Sequence, residues 1–167
     1  MTGRRGGKGA LVALFLCGLC LWAVANTAHA YVTLKHQGNE TKWSQDIDWK
    51  IHSSGSDDVP FAELFGALDA AFYAWSSVPC ADLDFDYGGT ANKAQNGVVH
   101  ISFRESNWDP SVGEAAAYTV SEKYWGSGNI KKASIVFNGV DQIWTTLASS
   151  TTYGAKTDIQ GVATHEI

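Results

Sequence analysis

Apolar and polar residues alternate from Trp43 to His52, where Ile47, Trp49 and Ile51 are interleaved with Asp46, Asp48 and Lys50. That period of two predicts a strand with one face buried. After the loop Ser53 to Asp57 the period lengthens. Phe61, Leu64, Phe65, Leu68, Phe72 and Trp75 recur at spacings of three and four, which predicts a helix whose apolar face lies against a sheet. Pro60 suits its first turn, Asp57, Asp58 and Glu63 complement its dipole, and Val78-Pro79 ends it. Leu83, Phe85 and Tyr87 alternate with Asp82, Asp84 and Asp86 and predict a second strand, with Gly88-Gly89 opening a turn-rich connection to Gly97.

Val98 to Phe103 is nearly continuous apolar sequence, as in a central strand covered on both faces, and His100 within it reads as a hydrogen-bonded structural residue before it reads as a ligand. A long loop with Trp108-Asp109-Pro110 follows. Glu114 to Val120, rich in alanine, predicts an edge strand, and Ile130 to Phe137 a further strand ending at Asn138-Gly139. Val140 to Ala155 reads as an irregular connection, and Tyr31 to Lys42 as an arm without a period. The sum is an α/β sandwich, with a helix between the first two strands and a second helix closing the sequence.

That closing helix carries the candidate chemistry. Thr157 with Gln160 three places on forms a capping-box pattern, so the backbone is expected to turn helical at Asp158 and to bring His165 and Glu166 about two turns in. His-Glu-x-x-His on a helix sets two imidazoles one turn apart, where both reach one zinc ion with the carboxylate beside it. The chain shows the first three places of that pattern, and a His-Glu pair alone also occurs on ordinary solvated helices. Asp82, Asp84 and Asp86 invite a calcium-loop reading that fails, because the sixth place is Tyr87 and the twelfth Lys93.

Composition changes the picture at the N-terminus. Arg4, Arg5 and Lys8 precede the apolar run Ala10 to Ala25, and Ala28-His29-Ala30 places small residues at the two cleavage-determining positions. The run is short of the ~20 residues that span a bilayer, so residues 1–30 are expected to be a secretory signal cut before Tyr31. The product would be secreted or periplasmic, with no stable membrane anchor. All 17 acidic residues lie beyond that segment, in a chain of net charge −5, which argues against nucleic acid as a partner. Cys80 is then the single cysteine left for an oxidising compartment. An unpaired cysteine and a final apolar residue inside a newly capped helix together suggest a truncated sequence.

Several blocks taken in order carry a resemblance: Trp49-Lys50-Ile51, Ala71 to Val78, Leu83-Asp84-Phe85, Val98 to Phe103, Ile135 to Asn138 with Trp144-Thr145, and Val162 to Ile167. From about Trp43 onward the chain resembles the catalytic domain of matrixin-type metzincins, especially secreted bacterial ones. The resemblance implies a twisted five-stranded sheet, four strands parallel and the edge strand antiparallel, with a long helix after the first strand and the zinc helix beneath the sheet. It implies a monomeric zinc-dependent endopeptidase acting on protein or peptide substrates, with His165 as a zinc ligand and Glu166 as general base for a zinc-activated water. It also implies that substrate lies along the edge strand at Ala115, Ala116 and Ala117. The remaining ligands would fall beyond Ile167. A calcium ion stays an open expectation with no residues assigned. Two other readings remain: a secreted binding module using Trp108, Tyr124 and Trp125, and an inactive remnant.

Overall fold

The computed structural model describes residues 34–79, 83–146 and 156–167; the expected signal segment, Cys80, Asp82 and residues 147–155 of the expected connection lie outside the described residues. Its centre is a sheet of five strands: β3 (Ile47–Ile51), β4 (Phe85–Thr90), β5 (Val98–Arg104), β6 (Ala117–Lys123) and β7 (Ile130–Asn138), in the order β4-β3-β5-β7-β6. Four strands run parallel, and β6 is antiparallel to β7 at one edge. With the helices α1 (Phe61–Ser76) and α2 (Ile159–Glu166) this is a mixed α/β fold, as the alternating periods predict.

Register decides which residues share a face. Trp49 pairs with Val99, Ile101 with Ile135, and Phe137 with Ala117, so these apolar residues, with Ile47 and Ile51, point to one side. Both helices pack on that side. Leu64, Ala67, Leu68, Ala71 and Phe72 of α1 and Ile159 and Ala163 of α2 join Ile47, Trp49, Ile51, Ile101, Ile135 and Phe137 in one buried core. Trp49 stacks on Phe72 at 4.6 Å between ring centres and on Phe65 at 5.9 Å. Burying aromatic side chains of this size contributes ~1.5–3 kcal/mol each, so the aromatic seam is what fastens α1 to β3. A second seam joins Phe103, Phe137 and Trp144.

Boundaries move for local reasons. Pro60 is extended, at φ −58° and ψ 145°, and caps α1 instead of entering its first turn; the Asp58 carboxylate accepts from the Trp144 amide at 2.8 Å. Phe61 and Trp75, expected on the buried face, lie at the two ends of α1 and are exposed, Trp75 with its indole N–H on the Thr164 carbonyl. Gly88 and Gly89 belong to β4, where the ladder with β3 is irregular between Trp49 and Ile51. The arm before Trp43 holds a hairpin of β1 (Lys35–His36) and β2 (Asn39–Glu40). Its turn residues Gln37 and Gly38 both have positive φ, the mirror-image turn that matches strand twist. Two-residue strands carry no period, so the pattern of residues could not announce them. A short strand β8 (Ile143–Thr145) likewise lies in the expected irregular connection, and it pairs in parallel with β9 (Lys156–Asp158), which takes up residues where the closing helix was expected to begin.

Candidate functional site

The position of α2 follows from its first residue and its buried side. β9 keeps the backbone extended through Asp158, at φ −77° and ψ 122°, and the Asp158 carboxylate accepts the Gly161 amide at 2.7 Å. Asp158 is therefore the N-cap, and the capping box expected from Thr157 and Gln160 does not form. Thr157 instead donates its hydroxyl to Gln142 at 2.6 Å. Ile159 and Ala163, one turn apart, are buried in the core. The far end is held by α1, whose Trp75 indole N–H donates to the Thr164 carbonyl at 2.9 Å, taking up one of the carbonyls that a helix end leaves without an internal partner.

This placement brings His165 and Glu166 beside β6. His165 is exposed, whereas Glu166 is half-buried under the strand. The Thr119 hydroxyl lies 2.7 Å from Glu166 Oε2 and 3.0 Å from the Glu166 carbonyl, so its one proton is shared between the two acceptors. Ala116, Ala117, Gly161, Val162, His165 and Glu166 line a cleft of about 340 Å³.

The edge strand begins later than its sequence suggests, at Ala117 instead of Glu114, and extends to Lys123. Of the three alanines expected to meet substrate, Ala116 and Ala117 line the cleft. Ala115 does not: it lies before β6, and its carbonyl accepts from Asn138 Nδ2 at 3.2 Å. Buried Asn138 also accepts the amides of Val140 and Asp141 at 3.0 Å each, which pins the start of the edge strand to the end of β7. The Asn138 amide donates to the Ala116 carbonyl at 2.8 Å, making these two a hydrogen-bonded pair. Alternation along an antiparallel ladder then turns the peptide groups of Ala117 and Thr119 outward, to the open edge. Thr119, Asn138 and Trp75 were not marked as site residues by sequence; Asn138-Gly139 had signalled a turn, but no period reveals a hydroxyl that will face a carboxylate.

His100 is 6% exposed, its Nε2–H donating to the Ala91 carbonyl at 3.1 Å, with the His52 ring edge-on at 5.8 Å. Burial, reinforced by His52, holds its pKa below the ordinary 6.5 despite the carbonyl partner. It has the structural role its apolar strand suggested. Trp108 is also occupied internally: its indole donates to the Gly113 carbonyl at 2.9 Å, and its ring lies 5.3 Å from that of Tyr118.

A scan against protein-family models finds no match, and neither does a comparison with curated proteins. Among the described residues no three His, Cys, Asp or Glu side chains stand together as a metal-binding group. Against the zinc centre that the resemblance implies, these residues supply one imidazole, at His165, and the neighbouring carboxylate; they fall short of a closed tetrahedral set. No described helix is long and apolar enough to cross a membrane.

Proposed function

We propose that this chain carries the substrate edge and part of the catalytic centre of a secreted, matrixin-like zinc endopeptidase. The observation that supports this reading is the meeting of the open β6 edge with Glu166 and His165 in one cleft. An extended peptide adds to the sheet as one more strand, pairing with the outward peptide groups of Ala117 and Thr119. The small side chains of Ala116 and Ala117 leave room for it. A scissile carbonyl held there lies over the end of α2, where the Glu166 carboxylate takes a proton from water and returns it to the leaving amine. Thr119 keeps that carboxylate turned toward the strand. His165 would be one ligand of a zinc ion, and such an ion would supply Lewis acidity toward the carbonyl.

The test is a chain continued past Ile167 with histidines two and eight places further on and a glycine between them. A fluorogenic peptide should be cleaved by it, and a chelator should stop the cleavage. A continued chain that binds zinc stoichiometrically yet leaves peptides intact overturns the assignment.

A further inference from the structure

The connection between β6 and β7 leads to a second cleft, on residues the peptidase reading does not use. Tyr124 to Ser127 is a turn closed by the Ser127 amide on the Tyr124 carbonyl at 3.3 Å, with Gly126 at φ +76°. Trp125 stands at its corner and is 91% exposed, far more than Trp49 or Trp144 in the core. The turn is fastened to the N-terminal hairpin. Lys42 bridges to it as a parallel partner of Asn129, its amide donating to the Gly128 carbonyl at 3.2 Å and its carbonyl accepting from the Ile130 amide at 2.8 Å. Gly128 approaches the Glu40 carbonyl so closely that any Cβ there would overlap it. These contacts hold open a cleft of about 320 Å³ lined by Asn39, Glu40, Lys42, Gly126, Ser127, Gly128 and Asn129.

The lining defines what it can bind. Two amides, a hydroxyl, one carboxylate and one ammonium give donors and acceptors in mixture, and the charges of Glu40 and Lys42 offset each other. Such a surface recognises a neutral ligand with many hydroxyls rather than an ion. Trp125 directly precedes Gly126 of the lining, and its exposed indole has a flat apolar face that suits a ring polar at its rim and C–H at its face. We infer that this cleft, with Trp125 at its margin, is a binding site for a neutral β-linked oligosaccharide, one or two pyranose rings occupying the cleft and the next stacking on the indole. All-equatorial pyranoses have the two apolar faces and the polar rim that this arrangement requires. The site does not depend on the peptidase reading and stands if that reading fails.

The experiment is titration of the chain with cellohexaose and, separately, with hexa-N-acetylchitohexaose, followed by tryptophan fluorescence and calorimetry. At least one should bind with a dissociation constant below about 1 mM, with a change in indole emission. Trp125→Ala should weaken that affinity at least ~10-fold, Trp125→Tyr should restore most of it, and Asn129→Ala should cost a few-fold. Trp125 touches no core residue, so unchanged near-ultraviolet circular dichroism is expected in both Trp125 variants. Absence of binding to both sugars at about 10 mM, or equal affinity in Trp125→Ala, overturns the inference.

Discussion

The two free edges of the sheet are finished in opposite ways. At β4, Phe85 meets Phe72 at 5.3 Å and Tyr87 meets Trp49 at 4.7 Å and Phe65 at 4.8 Å, so the strand is sealed to α1 by rings. Its ladder is irregular, and Asp84 and Asp86 stand along it. Acidic side chains and broken register are what keep another strand from pairing with an edge. At β6 the cleft-facing start is Ala117-Tyr118-Thr119 in regular register, and the irregularity and the Glu122–Lys132 ion pair, at 2.8 Å, come only at its far end. One edge is closed by packing, and the other is left open where Glu166 lies. An open, regular edge is a liability for unwanted pairing unless a substrate or partner occupies it, and the proposed function takes β6 as that working side.

The largest effect expected from this contrast is in catalysis. In the continued chain, Glu166→Gln keeps the size and hydrogen bonding of the side chain but cannot accept a proton, and should lower kcat ~10²- to 10⁴-fold with zinc retained. His165→Ala should lose metal and activity together. Elemental analysis beside kcat/KM on one peptide separates the two variants. Asp86→Lys, on the closed edge, should leave kcat/KM unchanged; if it matched Glu166→Gln, the working side would be the wrong one.

Stability should respond in the reverse sense. Phe72→Ala opens the seam between α1 and β3 and should cost ~3–5 kcal/mol, read as a fall in urea midpoint, because a buried ring leaves a cavity that rigid neighbours fill only in part. A loss below ~1 kcal/mol would mean that the β4 edge is not sealed by these rings.

How much of this was legible in sequence depended on whether a residue acted through periodicity or through a specific partner. The strand at Ile47 and the helix at Leu64 to Phe72 were readable because burial recurs at the period of each element. The same rule misplaced Phe61 and Trp75, since a period cannot say that the first and last turns of a helix are left uncovered. The cap of α2 was read one residue early, because Thr157 and Asp158 both suit a cap and only the pairing of β9 with β8 chooses between them. Ala116 and Ala117 share one cleft with His165 and Glu166, whereas Ala115 lies outside it with its carbonyl bonded to Asn138. Thr119 was invisible in advance: its role exists only because α2 passes beneath β6.

Thr119→Val tests that role with a smaller effect. The change keeps shape but removes the proton shared by Glu166 Oε2 and the Glu166 carbonyl, and should cost about 1 kcal/mol, concentrated in α2. Hydrogen exchange should quicken at the last amides of α2 while those of Leu64 to Phe72 stay protected, and Thr119→Ser should restore the slower rates. Identical exchange in wild type and Thr119→Val would show that the core contacts of Ile159 and Ala163 alone hold the helix.

The smallest expected effect lies on the other face of the sheet, at His100. The ring is buried and His52 lies edge-on beside it, so a proton added to it meets first desolvation and then the repulsion of His52. Its folded pKa is held below the ordinary 6.5, and the unfolded chain therefore binds the proton first. The sign follows: the contribution is fully present above about pH 6.5 and is lost progressively as pH falls from there through the folded value. Asp109 and Glu122, whose pKa values are lowered from 3.8 and 4.5, act at more acid pH and do not blur this window. His100→Gln keeps an N–H for the Ala91 carbonyl but does not titrate. Melting temperatures measured between about pH 7 and 5 should fall more steeply for wild type than for His100→Gln. Equal slopes would show that His100 is not the source of the acid sensitivity of the fold.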